Sequence, residues 1–281
     1  MRNPLKASLL ALSIFGLGAC QKSAPAGAAS AGHAEAQAPA SQPAQELEAH
    51  AAATQAHAPG AAHWTYDDFA QWGAVSPESK ACAEGKTQSP VALVTEAKVD
   101  LPNLVTAYAP SEGQVFNNGH TIQTKITPGQ TLNIGDKVYQ LLQAHFHHPS
   151  EHSLDGVVYP MELHFVHKSE SGEFAVLGVM IKEGKANAQI QKIWDAIPAS
   201  VGEEHAQSTA FDGNALLPAT KVYFAYQGSL TTPPCTEGIR WNVLSVPIEA
   251  SAEQIAAFGK AVSPNARPIQ PLLARDILEG Q

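Results

Sequence analysis

Apolar and β-branched residues are concentrated in short runs through the second half of the chain, and these runs predict β-strands. Side chains of this kind fit the pleated, half-buried surface of a sheet. The predicted strands are Val138–His147, Pro160–His167, Phe174–Ile181, Lys221–Tyr226 and Ile239–Val246. Glycine and proline residues between the runs indicate turns. The pattern therefore favours a domain built mainly from strands.

Apolar residues that recur every three to four positions predict two helices. In Ala186–Ile197 the residues that share one face are Ile190, Ile193, Trp194 and Ile197. The segment Ser251–Val262 opens with Ser251 and Gln254 at the spacing of a capping box. We therefore expect a single, mainly β domain of the α+β class, with short helices at its periphery.

The first 20 residues predict a targeting segment that is separate from the folded domain. Arg2 and Lys6 give a positive start, and the apolar run that follows from Ala7 is too short for a comfortable membrane span. The run ends in Leu-Gly-Ala-Cys, which is similar to the lipobox of bacterial lipoproteins, and lipid would then be attached to Cys20. The alternative is an ordinary signal peptide that is cleaved nearby. Both interpretations predict an exported protein.

A lipid on Cys20 would anchor the protein to a membrane as a periplasmic or cell-surface lipoprotein. Gln21 stands where some inner-membrane lipoproteins carry aspartate, which favours the outer membrane. Residues 21–62 are rich in alanine, proline, glutamine and serine, and they contain almost nothing large to bury. We expect them to form a disordered tether. The folded domain is expected over residues 63–281.

The composition is that of a globular protein and argues against one class of partner. The chain has 281 residues, is 44% hydrophobic and carries a formal net charge of −9. A block of about 220 residues is ample for one hydrophobic core. An acidic balance argues against nucleic acid, because binding of nucleic acid requires a basic surface. The sequence leaves open whether the protein is a monomer or a dimer.

Three histidines on two predicted strands have the spacing of a metal site. His145 and His147 share one face of the first strand, and His164 lies on the second. Turn-forming residues between the strands allow the second strand to fold back beside the first. Three neutral imidazoles suit Zn²⁺ and leave a fourth position for water, as in catalytic zinc sites. The alternative is a surface strand that happens to carry a His-x-His pair.

Two further polar residues lie two positions before these histidines, and therefore on the same face of the strand. Gln143 precedes His145 in this way, and Glu162 precedes His164. Imidazoles that bind a metal usually donate their other N–H to a carboxylate, an amide or a carbonyl. A buried glutamate in turn needs a positive or hydrogen-bonded partner. The pattern therefore favours a metal site.

The cysteine count agrees with export. If Cys20 carries lipid, Cys82 and Cys235 remain as an even pair. In an oxidising compartment a disulfide between them is favoured, and two buried free thiols are the alternative.

Taken together, these residues resemble the α-class carbonic anhydrases in their exported bacterial form. The resemblance extends from His63 to Leu278. The matching stretches are HWTYDDFAQWG at 63–73, GKTQSPV at 85–91, FNNGH at 116–120, QAHFHHPSEH at 143–152, MELHFVH at 161–167, AVLGV at 175–179, YQGSLTTPPCTEGIRWNV at 226–243 and NARPIQP at 265–271. The resemblance implies one large, mostly antiparallel, twisted β-sheet with short flanking helices. It also implies a disulfide between Cys82 and Cys235.

The same resemblance implies a zinc lyase that hydrates carbon dioxide reversibly to bicarbonate and a proton. Zn²⁺ would be held by His145, His147 and His164, and hydroxide on the metal would attack carbon dioxide. His120 would export the proton. The residues that would anchor the ligands are Gln143, Glu162 and Asn265, the last through its backbone carbonyl. The apolar wall and the substrate contacts would be Val166, Val176, Leu230, Thr232 and Trp241.

Thr231 matches the family's gate threonine. Its oxygen would accept a hydrogen bond from the hydroxide, while its own hydroxyl donates to Glu151. An ionised carboxylate can only accept, so Glu151 would fix the direction of both bonds. Without the histidines, Thr231 would be interpreted as part of a simple turn. His152 matches a structural histidine that is expected to bond to Tyr226.

His148 departs from the pattern, because animal members of the family have tryptophan at this place. It points to the opposite face from His147, so we expect a packing or surface role and not a fourth ligand. Two other functions remain as alternatives. One is a zinc-binding module for recognition or adhesion, against which the intact ligand set argues. The other is a zinc esterase, for which the chain has no evident substrate-binding loop.

Overall fold

The structure is a computed structural model that describes residues 64–95, 98–207 and 210–280. The predicted signal peptide at 1–20, with Cys20, and the predicted tether at 21–62 lie outside the described residues. Among the described residues, no helix is both long enough and apolar enough to cross a membrane.

Strands make up most of the regular structure. Their bounds are β1 Ala92–Leu93, β2 Lys98–Val99, β3 Leu104–Ala107, β4 Gly113–Asn117, β5 Ile122–Ile126, β6 Thr131–Ile134, β7 Lys137–His147, β8 Ser153–Leu154, β9 Val157–Val158, β10 Met161–Ser169, β11 Phe174–Glu183, β12 Glu204–Ala206, β13 Tyr223–Ser229, β14 Glu237–Ala250 and β15 Leu278–Gly280. All five predicted strands are confirmed, as β7, β10, β11, β13 and β14. The prediction of a mainly β domain is therefore confirmed.

The helices are short and few in the described part of the chain. The α-helices are α1 Ala81–Glu84, α2 Ala188–Trp194 and α3 Ala252–Ala261, and the 3-10 helices are Tyr66–Ala74, Pro77–Lys80 and Gly213–Leu216. Both predicted helices are present, and α2 begins two residues later than expected. The side chain of Asn187 caps α2 by accepting from the backbone N–H groups of Gln189 and Ile190. The capping box of Ser251 and Gln254 forms as predicted.

One large sheet contains twelve of the described strands. Its main path runs in the order β12-β4-β5-β7-β10-β11-β14-β13-β15-β2, and β6 joins β3 to β7. Two of its strand pairs are parallel, β11 with β14 and β15 with β2, and the remaining pairs are antiparallel. The expected mostly antiparallel sheet is therefore confirmed. The strands that carry the candidate metal ligands, β7 and β10, lie near the middle of this path.

The central strands are buried on both faces. Leu163 and Phe165 of β10 point into the larger core, which also contains residues of α2 and α3. Val166 of the same strand belongs to a second apolar cluster on the opposite face, together with Val176 and Trp241. A strand in such a position can hold polar side chains away from water, provided that every one of them finds a partner.

A disulfide fixes the N-terminal part of the domain to the turn before β14. It joins Cys82 in α1 to Cys235, across a sequence separation of 153 residues. The expected pairing is therefore present in the structure. A structural disulfide indicates an oxidising compartment, in agreement with an exported protein.

His167 is a buried histidine of the larger core and lies away from the candidate ligands. It is 0% exposed, and its Nδ1–H donates to the carbonyl of Ala175 at 3.3 Å. Its Nε2 therefore accepts from the hydroxyl of Tyr108 at 2.6 Å. Burial lowers the pKa of His167 to about 3. The folded protein holds this imidazole neutral, whereas the unfolded chain takes up a proton near pH 6.5.

This difference predicts a loss of stability in acid. The contribution of His167 is fully present above pH 6.5 and decreases as the pH falls towards 3, because only the unfolded chain binds the proton in that range. At pH 5 the loss amounts to about 2 kcal/mol. We expect His167→Gln to flatten the dependence of the unfolding free energy on pH between 6.5 and 4, as measured by urea denaturation. His205→Gln, at an exposed histidine of β12, is the control. An unchanged slope in His167→Gln would contradict the prediction.

Candidate active site

The pairing of β7 with β10 brings the three predicted ligands together. His164 lies directly opposite His145, and Glu162 lies opposite His147. Side chains alternate between the faces of a strand, so both histidines of β7 point to the same side as His164. One ring nitrogen from each imidazole lies within 4.8 Å of the others. The sequence prediction of a three-histidine cluster on neighbouring strands is therefore matched by the geometry.

Each of these imidazoles is anchored through one ring nitrogen. His145 Nδ1 lies 2.8 Å from Gln143 Oε1, and His147 Nδ1 lies 2.7 Å from the backbone carbonyl of Asn265. His164 Nε2 lies 2.7 Å from Glu162 Oε1. A carbonyl or a carboxylate oxygen can only accept, so each ring donates its N–H there. The other nitrogen of each ring then keeps its lone pair, as a metal ligand requires.

Two buried acceptors in this cluster have no hydrogen-bond partner among the described residues. They are His147 Nε2 and Glu151 Oε2, which lie 3.4 Å apart. His164 Nδ1 lies 4.0 Å from the same carboxylate oxygen. Buried polar atoms without partners are uncommon, and two lone pairs that face each other call for a cation nearby. The site therefore fits a bound metal ion.

The nature of the donors narrows the choice of metal. Three imidazole nitrogens suit a borderline ion such as Zn²⁺, and three protein ligands leave an open coordination position. Burial lowers the pKa of His147, which keeps this imidazole neutral and able to bind. Structural zinc sites are normally closed by four protein ligands. The arrangement is therefore that of a catalytic zinc site.

Glu162 is the common acceptor of a buried hydrogen-bond network beside His164. Its carboxylate accepts four hydrogen bonds, from the rings of His152 and His164 and from the backbone N–H groups of Glu151 and His152, at distances of 2.7–2.9 Å. Burial alone would raise the pKa of Glu162, but the adjacent imidazoles of His152 and His164 hold it well below its usual range. The carboxylate is therefore ionised, and it makes the other ring nitrogen of His164 a stronger metal ligand.

The hydrogen bonds continue from Glu162 into the second apolar cluster. His152 Nδ1 donates to Glu162, so its Nε2 accepts from the hydroxyl of Tyr226 at 2.6 Å. Tyr226 in turn lies 2.8 Å from Ser89 Oγ. The expected bond between His152 and Tyr226 is therefore confirmed. His152, Glu162 and His164 also have metal-ligand spacing, but these hydrogen bonds already occupy the atoms concerned.

Glu151 is buried beside the imidazole cluster, and one of its expected contacts is absent. Its Oε1 accepts the backbone N–H of Arg267 at 2.9 Å, which leaves Oε2 directed towards the imidazoles. Thr231 is buried at 6% exposure. In the part of the chain that the structure describes, its hydroxyl does not bond to Glu151, in contrast to the sequence expectation. Oε2 of Glu151 therefore remains without a hydrogen-bond partner among the described residues.

An apolar row crosses the sheet next to the ligands. Val166 of β10 lies opposite Val176 of β11, and Val176 lies opposite Trp241 of β14. The ring of Trp241 meets that of His164 edge to face, with centroids 4.9 Å apart. Leu230 packs against the same cluster. Thr232 follows Thr231 in the turn between β13 and β14 and is half-buried. The residues expected to form an apolar wall therefore include a row that reaches His164.

His120 lies in the tight turn between β4 and β5. Its backbone N–H donates to Asn118 Oδ1 at 2.9 Å. Its ring stacks on Trp64, with centroids 3.8 Å apart and an interplanar angle of 5°. Strand β5 pairs with β7, where Gln123 lies opposite His145. The turn of His120 therefore leads directly into the strand that pairs with β7.

His148 directly follows β7, and its ring lies on the side of the larger core. Its ring is half-buried, its Nδ1 lies 2.8 Å from the carbonyl of Pro160, and it packs edge to face against Phe258 of α3. It is not a member of either metal-ligand group found in the described residues. The expectation of a packing role is confirmed.

Two residues of the site were not predicted from the sequence. Arg267 is 4% exposed and donates to the carbonyls of Ser89 and Cys82, at 2.8 and 3.1 Å, in addition to its backbone bond to Glu151. Trp64 is the stacking partner of His120. Both lie inside stretches that resemble the family, and this location was the one signal that could have drawn attention to them.

Comparison with known proteins agrees with the site. A family model for eukaryotic-type carbonic anhydrases matches residues 67–281. A carbonic anhydrase of Pectobacterium carotovorum is 43% identical over 227 residues, which cover 79% of this chain and 93% of the relative. One from Nostoc sp. strain PCC 7120 is 44% identical over 216 residues, covering 74% of this chain and 81% of the relative.

A solved structure of an α-carbonic anhydrase from Thermovibrio ammonificans, in complex with the inhibitor sulfanilamide, has the same fold. It is 40% identical in sequence, and the match covers 78% of this chain and 100% of that one with a TM-score of 0.76. The extent of the match and the geometry of the site lead to one conclusion. The chain belongs to the family of eukaryotic-type, or α-class, carbonic anhydrases.

Proposed function

We propose that this protein is a zinc enzyme that interconverts carbon dioxide and bicarbonate. The observation that carries the proposal is the convergence of three imidazole nitrogens, from His145, His147 and His164, in a buried site. The opposite nitrogen of each ring is anchored on an acceptor, which leaves a lone pair on the converging atom. Curated relatives with more than 40% identity are named carbonic anhydrases.

The three histidines would hold Zn²⁺, with Gln143, Glu162 and Asn265 as their anchors. When bound, zinc acts as a Lewis acid that activates water at neutral pH, a chemistry already established for carbonic anhydrases. The protein contributes a fixed set of donors and a dry surrounding. Glu162 contributes in addition a negative charge, which makes His164 bind the metal more strongly.

Thr231 and Glu151 would orient the attacking oxygen. Glu151 Oε2 is an acceptor without a partner among the described residues, and Thr231 carries a buried hydroxyl in the turn between β13 and β14. A rotation of the threonine side chain that directs its O–H to this carboxylate leaves the threonine oxygen able only to accept. The attacking group must then donate its own hydrogen to Thr231, which aims its lone pair.

The apolar row would bind carbon dioxide, which carries neither charge nor dipole. Such a substrate gains little from polar partners and is held by contact and by exclusion of water. The residues of this wall are Val166, Val176, Leu230 and Trp241, and Thr232 would contact the substrate at its edge. The row begins beside His164, so a molecule held there lies close to the converging nitrogens.

His120 would carry the released proton to solvent. An imidazole with a pKa near 6.5 takes up and releases protons at neutral pH. The stacking on Trp64 and the hydrogen bond to Asn118 restrict where the ring can lie. This proposal assigns the proton exit to the turn between β4 and β5.

The protein would act outside the cytoplasm, attached to a membrane through lipid on Cys20. The disulfide between Cys82 and Cys235 supports an oxidising compartment. Cys20 ends an apolar leader at the position that lipidation requires. The absence of aspartate after it favours the outer membrane over the inner one.

The first prediction of the proposed function concerns the metal. His164→Ala should lose bound zinc and carbon dioxide hydration together, because two imidazoles bind zinc poorly and Glu162 loses a partner. Zinc is measured by elemental analysis and hydration by stopped flow. His205→Ala, at an exposed histidine, should retain both. Stoichiometric zinc in His164→Ala would contradict the ligand assignment, and a zinc-loaded native protein without hydration activity would contradict the proposed function.

The second prediction concerns Glu151. Glu151→Gln keeps an oxygen for the N–H of Arg267, but its amide can donate, so the direction of the bond with Thr231 is no longer fixed. We expect kcat/KM for hydration to fall about a hundredfold with zinc retained. Glu249→Gln, which changes an exposed carboxylate, should have no such effect. Wild-type kcat/KM in zinc-loaded Glu151→Gln would remove Glu151 from the mechanism.

The third prediction concerns His120. His120→Ala should lower kcat in weak buffer by about tenfold or more, because proton export loses its acid–base group. The value of kcat/KM should change much less, since it does not include proton export. Added imidazole should restore kcat. A variant whose kcat does not respond to imidazole would show that protons leave by another route.

The fourth prediction concerns the anchor. Cys20→Ser should move the protein from the membrane fraction to the soluble fraction, because the thiol that carries lipid is removed. Fractionation of cells that express the full chain, followed by immunoblotting, measures the change. If Cys20→Ser remains in the membrane fraction, lipidation at this residue is excluded.

A further inference from the structure

Asn265 contacts the imidazole of His147, the turn that carries His120 and the backbone of strand β7. It is 1% exposed. Its backbone carbonyl accepts from His147 Nδ1 at 2.7 Å, and its backbone N–H donates to the carbonyl of His148 at 3.0 Å. Its side chain makes three more bonds: Oδ1 accepts the N–H of His148 at 2.7 Å, and Nδ2 donates to the carbonyls of His120 and Phe146, each at 2.9 Å. Every polar group of the residue is therefore engaged.

The backbone and the side chain of Asn265 serve different parts of the site. The backbone carbonyl anchors the ligand His147, and any residue at this position could supply it. The amide nitrogen of the side chain joins the carbonyl of His120 to that of Phe146, which lies in β7 between the ligands His145 and His147. One side chain thus links, through hydrogen bonds, the turn that carries His120 and the strand that carries two ligands.

These bonds hold His120 at three points. Asn118 Oδ1 accepts its N–H, Asn265 Nδ2 donates to its carbonyl, and Trp64 stacks on its ring. The hydroxyl of Thr121 also donates to the carbonyl of Phe146, so the turn contacts β7 at the same atom that Asn265 uses. With the backbone fixed on both sides, the imidazole moves only through its own two side-chain torsions, and the stacking on Trp64 restricts these.

We propose that the side chain of Asn265 is a positioning residue for proton export. Its amide group sets the distance between the imidazole of His120 and the metal ligands, across which the proton must move. The inference rests on the proposed role of His120 as the proton-exporting group. It adds a second requirement, that the turn be tied to β7 by a side chain that donates two hydrogen bonds and accepts a third.

The chemistry of the side chain explains why asparagine is needed here. An amide offers two donor hydrogens and an acceptor oxygen, which match the two carbonyls and one N–H that surround it. Aspartate has nearly the same shape and keeps the acceptor, but an ionised carboxylate cannot donate to His120 or Phe146. Alanine keeps the backbone bonds alone. Both substitutions therefore remove the bonds from the Asn265 side chain to His120 and Phe146, keep the bond of Thr121 to Phe146, and retain the carbonyl that anchors His147.

The test compares two kinetic constants of carbon dioxide hydration in Asn265→Asp and Asn265→Ala. Both proteins are loaded with zinc and normalised to zinc content. We expect kcat in weak buffer to fall about tenfold, because a misplaced relay slows proton transfer, whereas kcat/KM falls less than about threefold. Added imidazole should restore kcat. A general loss of structure would lower both constants together and would not respond to imidazole.

One comparison separates position from charge, and one control links the effect to His120. Asn265→Ala removes the same hydrogen bonds as Asn265→Asp without adding a charge, so the two variants should lose kcat to a similar extent. The double variant His120→Ala with Asn265→Asp should be no slower than His120→Ala alone, because Asn265 acts through His120.

The outcomes distinguish the inference from the function on which it rests. If His120→Ala shows the buffer-dependent defect and neither variant at Asn265 does, the inference is wrong and the role of His120 stands. If the double variant is much slower than His120→Ala, Asn265 acts by another path and the inference is again overturned. If His120→Ala itself has no defect, the proposed proton exit is wrong and the inference with it.

Discussion

The antiparallel register of β7 and β10 is the constraint on which the rest of the site depends. It sets His164 opposite His145 and Glu162 opposite His147. Because side chains alternate along a strand, a slip of one residue would turn the histidines of one strand to the opposite face and leave their anchors without partners. The larger core holds the register in place, since the same strands send Phe146, Leu163 and Phe165 to the other side.

Satisfaction of buried polar groups explains the arrangement around the ligands. Each imidazole has two nitrogens, and a buried ring must find partners for both. One nitrogen of each ring is anchored by Gln143, Glu162 or the carbonyl of Asn265. The same requirement makes Glu162 accept four bonds, two of them from the backbone. The converging nitrogens are then the atoms left for a cation, so the chemistry of the site follows from the hydrogen bonds around it.

The short segment Asn265–Arg267 joins parts of the site that are far apart in the sequence. Asn265 contacts the turn of His120 and strand β7, and Arg267 bonds Glu151 through its backbone. The guanidinium of Arg267 extends the connection to the carbonyls of Ser89 and Cys82, and the disulfide of Cys82 leads back to the turn after Thr231. His120, His147 and Glu151 are thus placed relative to one another by a segment without regular secondary structure.

The sequence by itself determined the strands, the two helices with the capping box of the second, and the three-histidine cluster, because each has a local period or a local cap that can be recognised from neighbouring residues. The paired cysteines and the anchors Gln143 and Glu162 were equally accessible. Only the tertiary structure decided that the backbone N–H of Arg267 binds Oε1 of Glu151 and that Oε2 lies 3.4 Å from Nε2 of His147. It also decided the role of the Asn265 side chain. These partners lie more than 100 residues apart, and contacts at that distance leave no periodic signal in the chain.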